Sequence, residues 1–464
     1  MSYFEFGALT NARVCRCLDS ELLCRLWNGF TFTAGELALD KSGEPKKIII
    51  GKESELTLED GEEYAVCIAE DGVTALGRDK KTLMRAFMAL IARIEAGDLT
   101  KETSFKIACG EIRGKFSVGV RMAHLCVFPE TDLRTLTQRV RLLGALQYTH
   151  VIIEFWGMLK LDTLPELAWK DLAFEKEDVA PLLHEAKEMG LELIPMFNHL
   201  GHAPASRMAC GKHVVLDQNP RLQHLFTPDG WAWNFDLPEV RALLRSIRAE
   251  LYELFGEGEY VHLGFDESFI HSAGYAPKAQ VGAYIASTIK EAEDEGRRAI
   301  IWGDMLLCGE EVGCAGGKYY YECNEKNPDD AKLLRSMLPK SVVIADWHYD
   351  VLEAPMLTSI FLKNEGFDVI GCPWYERKNI PAHLETVKSE KLFGAMLTTW
   401  HTLANHTRSI CLFAAQCGTP LPDWWQFAYP NSAVATMIRK LMPLPTCYGE
   451  CGTIREQEIT ATIR

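Results

Sequence analysis

The sequence predicts an α/β chain: a (β/α)8 TIM barrel preceded by a small α+β domain and followed by a C-terminal helical extension. Three observations carry that expectation. The 464 residues exceed the usual size of one domain, leaving room for a large core and a smaller unit beside it. From about Phe116 to Trp400, eight apolar runs alternate with helical stretches, the pattern of repeated βα units. The runs are near-continuously apolar, as strands of a parallel sheet covered on both faces must be.

Taken in order, residues 1–108 read as the α+β domain. "KKIIIGKE" is a strand, "EEYAVCIAEDGVTALGRD" a hairpin turning at Asp71-Gly72, and "KKTLMRAFMALIARIEAG" a helix ending at Gly97. The barrel is expected over 109–418, with strands "FSVGVRM", "HVIIEF", "LELIPMF", "YVHLGF", "AIIWGDM", "SVVIADW", "DVIGCPW" and "GAMLTTW". Helices over 132–147, 176–189 and 278–296 follow three of them. An open doubly wound sheet would want a glycine-rich phosphate loop after its first strand, and "VRMAHLCVFPE" is no such loop. Residues 419–464 form the extension, with an apolar helix near 432–442. Its Trp424, Trp425 and Phe427 suit either a homodimer interface or packing on the barrel's own helices.

Composition narrows the function classes. With 47% hydrophobic and 24% charged residues the chain reads as folded throughout. A net charge of −15 disfavours nucleic acid and anionic membrane surfaces and fits a neutral or cationic small substrate. The 15 cysteines are scattered and never spaced C-x-x-C, which suits reduced core thiols and a cytoplasmic location. The start lacks a basic segment followed by a long apolar stretch, and no apolar run is long enough to span a bilayer.

In barrels of this kind the chemistry sits at the C-terminal ends of the strands. Collected there are Glu154 and Trp156 after the second run, Asn198, His199 and His202 after the third, and Asp266 and Glu267 after the fourth. Trp302 and Asp304 follow the fifth, Trp347 and Tyr349 the sixth, Trp374 and Tyr375 the seventh, and Trp400 closes the eighth. A pyranose packs its C–H faces on aromatic planes while carboxylates take its hydroxyls, so rings around acids point to a sugar site. Glycosidic cleavage needs an acid for the leaving oxygen and a negative group for the oxocarbenium-like centre, roles Asp266 and Glu267 can divide. An anionic Asp266 would also raise the pKa of Glu267. Neighbouring strand residues face opposite sides, so both acids reach one pocket only if the strand ends or bulges there. Three readings stand beside these: a sugar-binding barrel without chemistry, a metal-dependent hydrolase using His199, His202 and Asp266, and Asp304 as a helix N-cap.

The segment "VHLGFDES" resembles the Gly-x-Asp-Glu motif of the family 20 glycoside hydrolases, the β-N-acetylhexosaminidases. "IRGKFSVGVRMAHL" resembles that family's strand-one motif through Arg113 and Arg121, "ELIPMFNHLGHAPA" its strand-three Gly-His through Gly201 and His202, and "GAMLTTW" its closing tryptophan. "THVIIEFWGML", "HLGFDES" and "IIWGDML" are similar to the hexosaminidase D branch, whose members are intracellular. The resemblance implies exo-acting, retaining, substrate-assisted hydrolysis of terminal GlcNAc or GalNAc through an oxazolinium intermediate, with no cofactor and no metal. It assigns Asp266 to the acetamido group, Glu267 to general acid and base, Arg113 to remote hydroxyls, and Trp302, Trp347 and Trp400 to the pocket walls. Tyr349 or Tyr375 would donate to the acetamido oxygen, and His202 would orient a neighbouring acid. The family's acids at two positions are replaced by Val118 and Thr402, so hydroxyl recognition is expected to differ, with Glu154 and Trp156 serving one edge.

Overall fold

The computed structural model describes residues 2–7, 9–31, 36–39, 48–51, 56–97, 105–203, 215–313, 322–400, 403–421 and 440–441. Eight parallel strands close a barrel: β1 (Arg121–Val127), β2 (His150–Phe155), β3 (Glu192–Met196), β4 (Tyr260–His262), β5 (Arg298–Trp302), β6 (Val343–Trp347), β7 (Asp368–Cys372) and β8 (Gly394–Thr399). Closure is the β1–β8 pairing, Arg121 opposite Ala395 through Leu125 opposite Thr399. After each strand comes a helix: α1 (Leu133–Ala145), α2 (Lys176–Glu188), α3 (Pro238–Phe255), α4 (Lys278–Asp294), α5 (Pro328–Met337), α6 (Leu357–Asn364), α7 (Asn379–Glu390) and α8 (Thr407–Gln416). Met122, Ile152, Ile194, Ile300, Val343 and Met396 fill the interior, and Trp302, Trp347 and Trp400 continue that packing. The barrel is therefore a solid plug whose functional surface lies at its end.

Seven strands fall within the expected runs or a residue outside them, but the first does not. It is Arg121–Val127, not Phe116–Met122. All seven of its residues are buried, His124 included, whereas Phe116–Val120 is a partly exposed connector. A histidine in the middle of "MAHLCV" masked an otherwise apolar strand. In the hairpin, Ala69 pairs with Gly72, so the two-residue turn is Glu70-Asp71, one position earlier than expected. The helix after it ends at Ile91, because Glu95–Ala96 instead pairs with Phe105 and Lys106 in a three-stranded sheet.

A six-stranded sheet holds the rest of the N-terminal unit, and its last strand, Gly110–Gly114, carries Arg113. The junction with the barrel is built on Arg121, which is almost completely buried at the start of β1. Its guanidinium donates to Glu63, to the carbonyls of Val118, Gly119 and Gln147, and lies 3.5 Å from the centre of the Phe116 ring. Arg85 binds the same Glu63 carboxylate from the helix behind it. Arg121 is thus a structural pin at the N-terminal end of the barrel. Thr402, Trp424, Trp425, Phe427 and most of the expected C-terminal helix lie outside the described residues; Lys440 and Leu441 are helical. Among the described residues, no helix is long and apolar enough to cross a membrane.

Candidate active site

β4 is only three residues long, and the chain leaves it through a run of left-handed backbone: Gly264 at φ 74°, Phe265 at φ 72° and Glu267 at φ 45°. Such values are uncommon for residues with a Cβ and mark stored strain. Two glycines explain how the loops come close enough to impose it. A Cβ on Gly264 would stand 1.7 Å from Asn198 Oδ1, and one on Gly201 would stand 2.0 Å from the carbonyl oxygen of Asp266. The β3 and β4 exits are pressed together, and the twisted backbone turns both adjacent acids towards one histidine. His202, itself at φ 50°, sets Nε2 2.7 Å from Glu267 Oε2 and 3.5 Å from Asp266 Oδ2.

Burial dominates the electrostatics. It pushes the Asp266 carboxyl well above the usual carboxylate range, with the nearby charges of Asp304, Glu267 and Glu154 adding to the shift and His202 opposing it. Asp266 Oδ1 is buried without a hydrogen-bond partner. For His202, burial disfavours the imidazolium, but the charge of Asp266 and the hydrogen bond to Glu267 outweigh it, raising the pKa to about 9. The imidazolium therefore donates to Glu267 at neutral pH. Asp304 is fully buried under the acid: Oδ2 accepts from the Glu267 backbone N–H at 2.9 Å and from Asn324 Nδ2 at 2.7 Å, and Oδ1 accepts from Trp347 Nε1 at 3.2 Å. Burial, with the Glu267 charge, raises Asp304 to about 6 despite these donors. Burial likewise raises Glu322 to about 7, with Glu267 and Asp304 adding to it, and its backbone N–H is fixed by His348 Nδ1 at 2.8 Å. Asp304 is not a side-chain helix cap; it joins the acid to the pocket wall.

Rings surround these groups. Trp156 lies 5.5 Å from His202 and 6.4 Å from Trp400, and Trp400 lies 6.0 Å from Trp302, all between ring centres. Trp347, Tyr349, Trp374 and Tyr375 continue the arc with successive centres 5.1, 5.1 and 4.3 Å apart. Trp400 Nε1 donates to the Tyr349 hydroxyl at 2.8 Å, tying β8 to the β6 exit. Trp302 Nε1 is buried without a partner. Tyr375 is the outermost, 55% exposed.

Glu154 forms the floor. Its Oε2 meets His124 Nε2 at 3.0 Å, and its Oε1 accepts from Asn198 Nδ2 at 2.8 Å. Among the described residues, the one group of three side chains with metal-ligand spacing is His124, Cys126 and Glu154, all buried. The structure does not bring together the set expected for a metal-dependent hydrolase. His199 is fully buried with Nδ1–H on the Phe197 carbonyl and Nε2 accepting from Arg248, and burial lowers its pKa to about 3. Arg113 does not join the acids either: it sits in the N-terminal sheet, held by Glu62, Glu111 and the Thr57 carbonyl. The family-like spacing of two arginines is filled by an ion pair in that sheet and a pin at the barrel's opposite end.

Two contributors carried no signal in the expected places. Trp231, from the loop between β3 and α3, donates Nε1 to the Glu267 carbonyl at 2.6 Å and lies 4.6 Å from the His202 ring. Asn324 comes from the segment before α5. Neither follows an apolar run directly, so a search of strand ends passes them by; the "WAW" tripeptide in a loop was the available hint.

No protein-family model matches this sequence, and no curated protein matches it. Solved structures do resemble it. A GH20 exo-β-N-acetylglucosaminidase from Vibrio harveyi, in complex with N-acetylglucosamine, matches with a TM-score of 0.65 at 16% identity, covering 95% of this chain and 75% of that one. A GH20 β-N-acetylhexosaminidase from Streptomyces coelicolor matches with a TM-score of 0.62 at 15% identity, covering 95% of each chain. The β-N-acetylhexosaminidase from Bacteroides fragilis matches with a TM-score of 0.62 at 14% identity, covering 95% of this chain and 92% of that one. In fold, from the N-terminal unit through the closed barrel, the chain is similar to GH20 β-N-acetylhexosaminidases.

Proposed function

We propose that the protein is a glycoside hydrolase of the β-N-acetylhexosaminidase type, exo-acting and retaining, which removes terminal β-linked GlcNAc or GalNAc with help from the substrate's own acetamido group. The observation that carries this reading is the convergence of Asp266 and Glu267 on His202 inside a ring of tryptophans. The fold likeness and the resemblance of "HLGFDES" and "IIWGDML" to the hexosaminidase D branch support it, and an intracellular setting belongs to the same proposal.

Each residue has a task that its surroundings suit. Asp266 offers a buried oxygen without a partner, the acceptor an acetamido N–H needs. A positive oxazolinium ring forming beside it draws the carboxyl to its ionised form, stabilising the charge as it develops. Glu267 protonates the leaving oxygen. Its proton comes across the 2.7 Å bond from His202, whose imidazolium is the local reservoir once the sugar displaces water. Glu267 is then a carboxylate able to take a proton from the water that opens the oxazolinium ring at C1. The three groups share protons, so any pH profile belongs to the set and not to one residue. Of the two candidate tyrosines, Tyr349 is favoured by position: its oxygen accepts from Trp400 within the ring of aromatics, and Tyr375 sits at the rim. Trp302, Trp400 and Trp374 pack the sugar face. With Arg113 elsewhere, remote hydroxyls fall to other groups, Glu322 among them.

The test is hydrolysis of matched chromogenic β-GlcNAc, β-GalNAc and β-glucoside substrates by wild type and Asp266→Asn. Cleavage confined to the 2-acetamido sugars, with potent inhibition by a thiazoline mimic of the oxazolinium ring, is the expected outcome. Equal cleavage of the glucoside would overturn substrate assistance.

A further inference from the structure

At the floor of the candidate sugar pocket, two neighbouring strands bring together three side chains of metal-binding type. His124 and Cys126 stand two residues apart on β1 and so point to the same side of the strand, and Glu154 on β2 is the register partner of Cys126. Glu154 Oε2 lies 3.0 Å from His124 Nε2 and 3.6 Å from Cys126 Sγ, and the three donor atoms all fall within 4.8 Å of one another. Tetrahedral zinc sets nitrogen and oxygen donors about 3.3 Å apart and sulfur and oxygen donors about 3.5 Å apart, so these atoms already stand close to the spacing the ion requires. All three residues are buried, and Cys126 carries a thiol. Asn198 extends the cluster: its Nδ2 donates to the other Glu154 oxygen, and its Oδ1 is buried without a partner.

Charge and donor type select the ion. A buried dication needs its charge cancelled, and one thiolate with one carboxylate supply two negative charges while a neutral imidazole completes the set. Magnesium and calcium favour oxygen cages, which a set with one sulfur and one nitrogen does not make. Three donors on two paired strands are also held more precisely than a set built on loops. We propose that His124, Cys126 and Glu154 form a zinc(II) site beneath the candidate sugar pocket, with a fourth position left for water. Binding releases the Cys126 thiol proton to solvent, leaves the His124 proton on Nδ1, and replaces the hydrogen bond between His124 and Glu154 by two bonds to the metal. No step of the proposed hydrolysis uses the ion. Its consequence for that hydrolysis, which rests on the reading above, is inhibition: Glu154 Oε2 is withdrawn from the sugar's edge, and the His124 ring, 4.7 Å from Trp400 between centres, is fixed behind the pocket wall.

The experiment uses the full chain, stripped with a chelator under reducing conditions and titrated with zinc chloride, and in parallel with cobalt(II) as a coloured stand-in. Expected are one tightly held zinc per chain by elemental analysis and a thiolate-to-cobalt charge-transfer band, both lost in Cys126→Ala and in Glu154→Gln and both kept in Cys17→Ala, which removes an exposed thiol elsewhere. Losing a ligand should weaken zinc binding by more than the about 10- to 100-fold that loss of an outer hydrogen-bond partner costs. Absence of stoichiometric zinc, or zinc and band retained in either folded variant, overturns the site. Turnover of a 2-acetamido glycoside is followed in the same titration. A fall in wild type that chelator reverses, with Cys126→Ala active and insensitive to zinc, supports the withdrawal of Glu154, and unchanged turnover at full occupancy overturns it. A chain that binds zinc through Cys126 but cleaves nothing before zinc is added removes the hydrolase reading and leaves the site standing.

Discussion

The two ends of the barrel handle buried charge in opposite ways. At the N-terminal end, Glu63 is met by two arginines, and Arg121 finds three further carbonyl acceptors. At the C-terminal end, Asp266, Glu267, Asp304 and Glu154 gather with imidazoles and amides for company, and among the described residues none of them is bonded to an arginine or lysine. The strained non-glycine backbone of Phe265, Glu267 and His202 belongs to this end too. One end is satisfied and the other is kept under load, which is what separates a structural ion pair from groups poised to trade protons.

That contrast can be broken by experiment. The largest effect is expected from Glu267→Gln, which should lower kcat on a 2-acetamido glycoside by about a thousandfold with little change in unfolding by urea. A loss of stability in place of activity would place Glu267 with the structural acids. Next, Arg121→Met leaves Glu63 half-paired at the domain junction and should cost about 3 to 5 kcal/mol in urea unfolding, with the activity of the surviving folded fraction preserved. Third, Asp266→Asn should reduce turnover about a hundredfold while leaving the protein as stable as before or better by up to about 1 kcal/mol, since a buried carboxyl with an orphaned oxygen opposes folding.

The smallest effect sharpens the comparison through pH. His202 titrates near 9 in the folded chain against 6.5 when free, so its stabilising contribution is complete below about pH 6.5 and fades as pH rises through 9. Glu322 holds its proton to about 7 against 4.5 when free, so folding loses stability as pH climbs from 4.5 through 7. Both slopes run downward with pH and both come from the C-terminal end. From about pH 6.5 to 9 urea midpoints should fall for wild type, less steeply for His202→Gln and in parallel with wild type for Arg121→Met; from about 4.5 to 6.5, where burial of neutral histidines such as His199 acts in the opposite sense, the Glu322→Gln profile should run more steeply upward than wild type.

What the sequence disclosed and what it hid follow from range. Apolar runs and the residues directly after them are local signals, and these place seven of the eight strands, the Asp266-Glu267 pair and the tryptophans at the ends of β5, β6 and β8. Arg113 went astray because its spacing from Arg121 matched a motif, while its fate was decided by Glu62, about fifty residues earlier in the chain. His199 and His202 are three residues apart and looked equivalent; packing against Arg248 on α3 sent one into the core. Trp231 and Asn324 reach the acids across long loops, and no spacing rule reports such contacts. The first strand is hidden in the sequence for a local reason: a polar residue, His124, stands in the barrel interior as the partner of Glu154.

The Glu267 peptide is gripped on both sides: its N–H by Asp304 on the β5 exit, its carbonyl by Trp231 and by Phe269. A segment tied in this way moves only if three loops move together, and so its amide hydrogen is expected to be among the slowest to exchange with solvent at this end of the barrel. The acid is then a fixed tool, and whatever breathing admits a sugar must be supplied by other loops around the mouth. For anyone redesigning the pocket, the leverage lies in those loops, with the mount of Glu267 left as it stands.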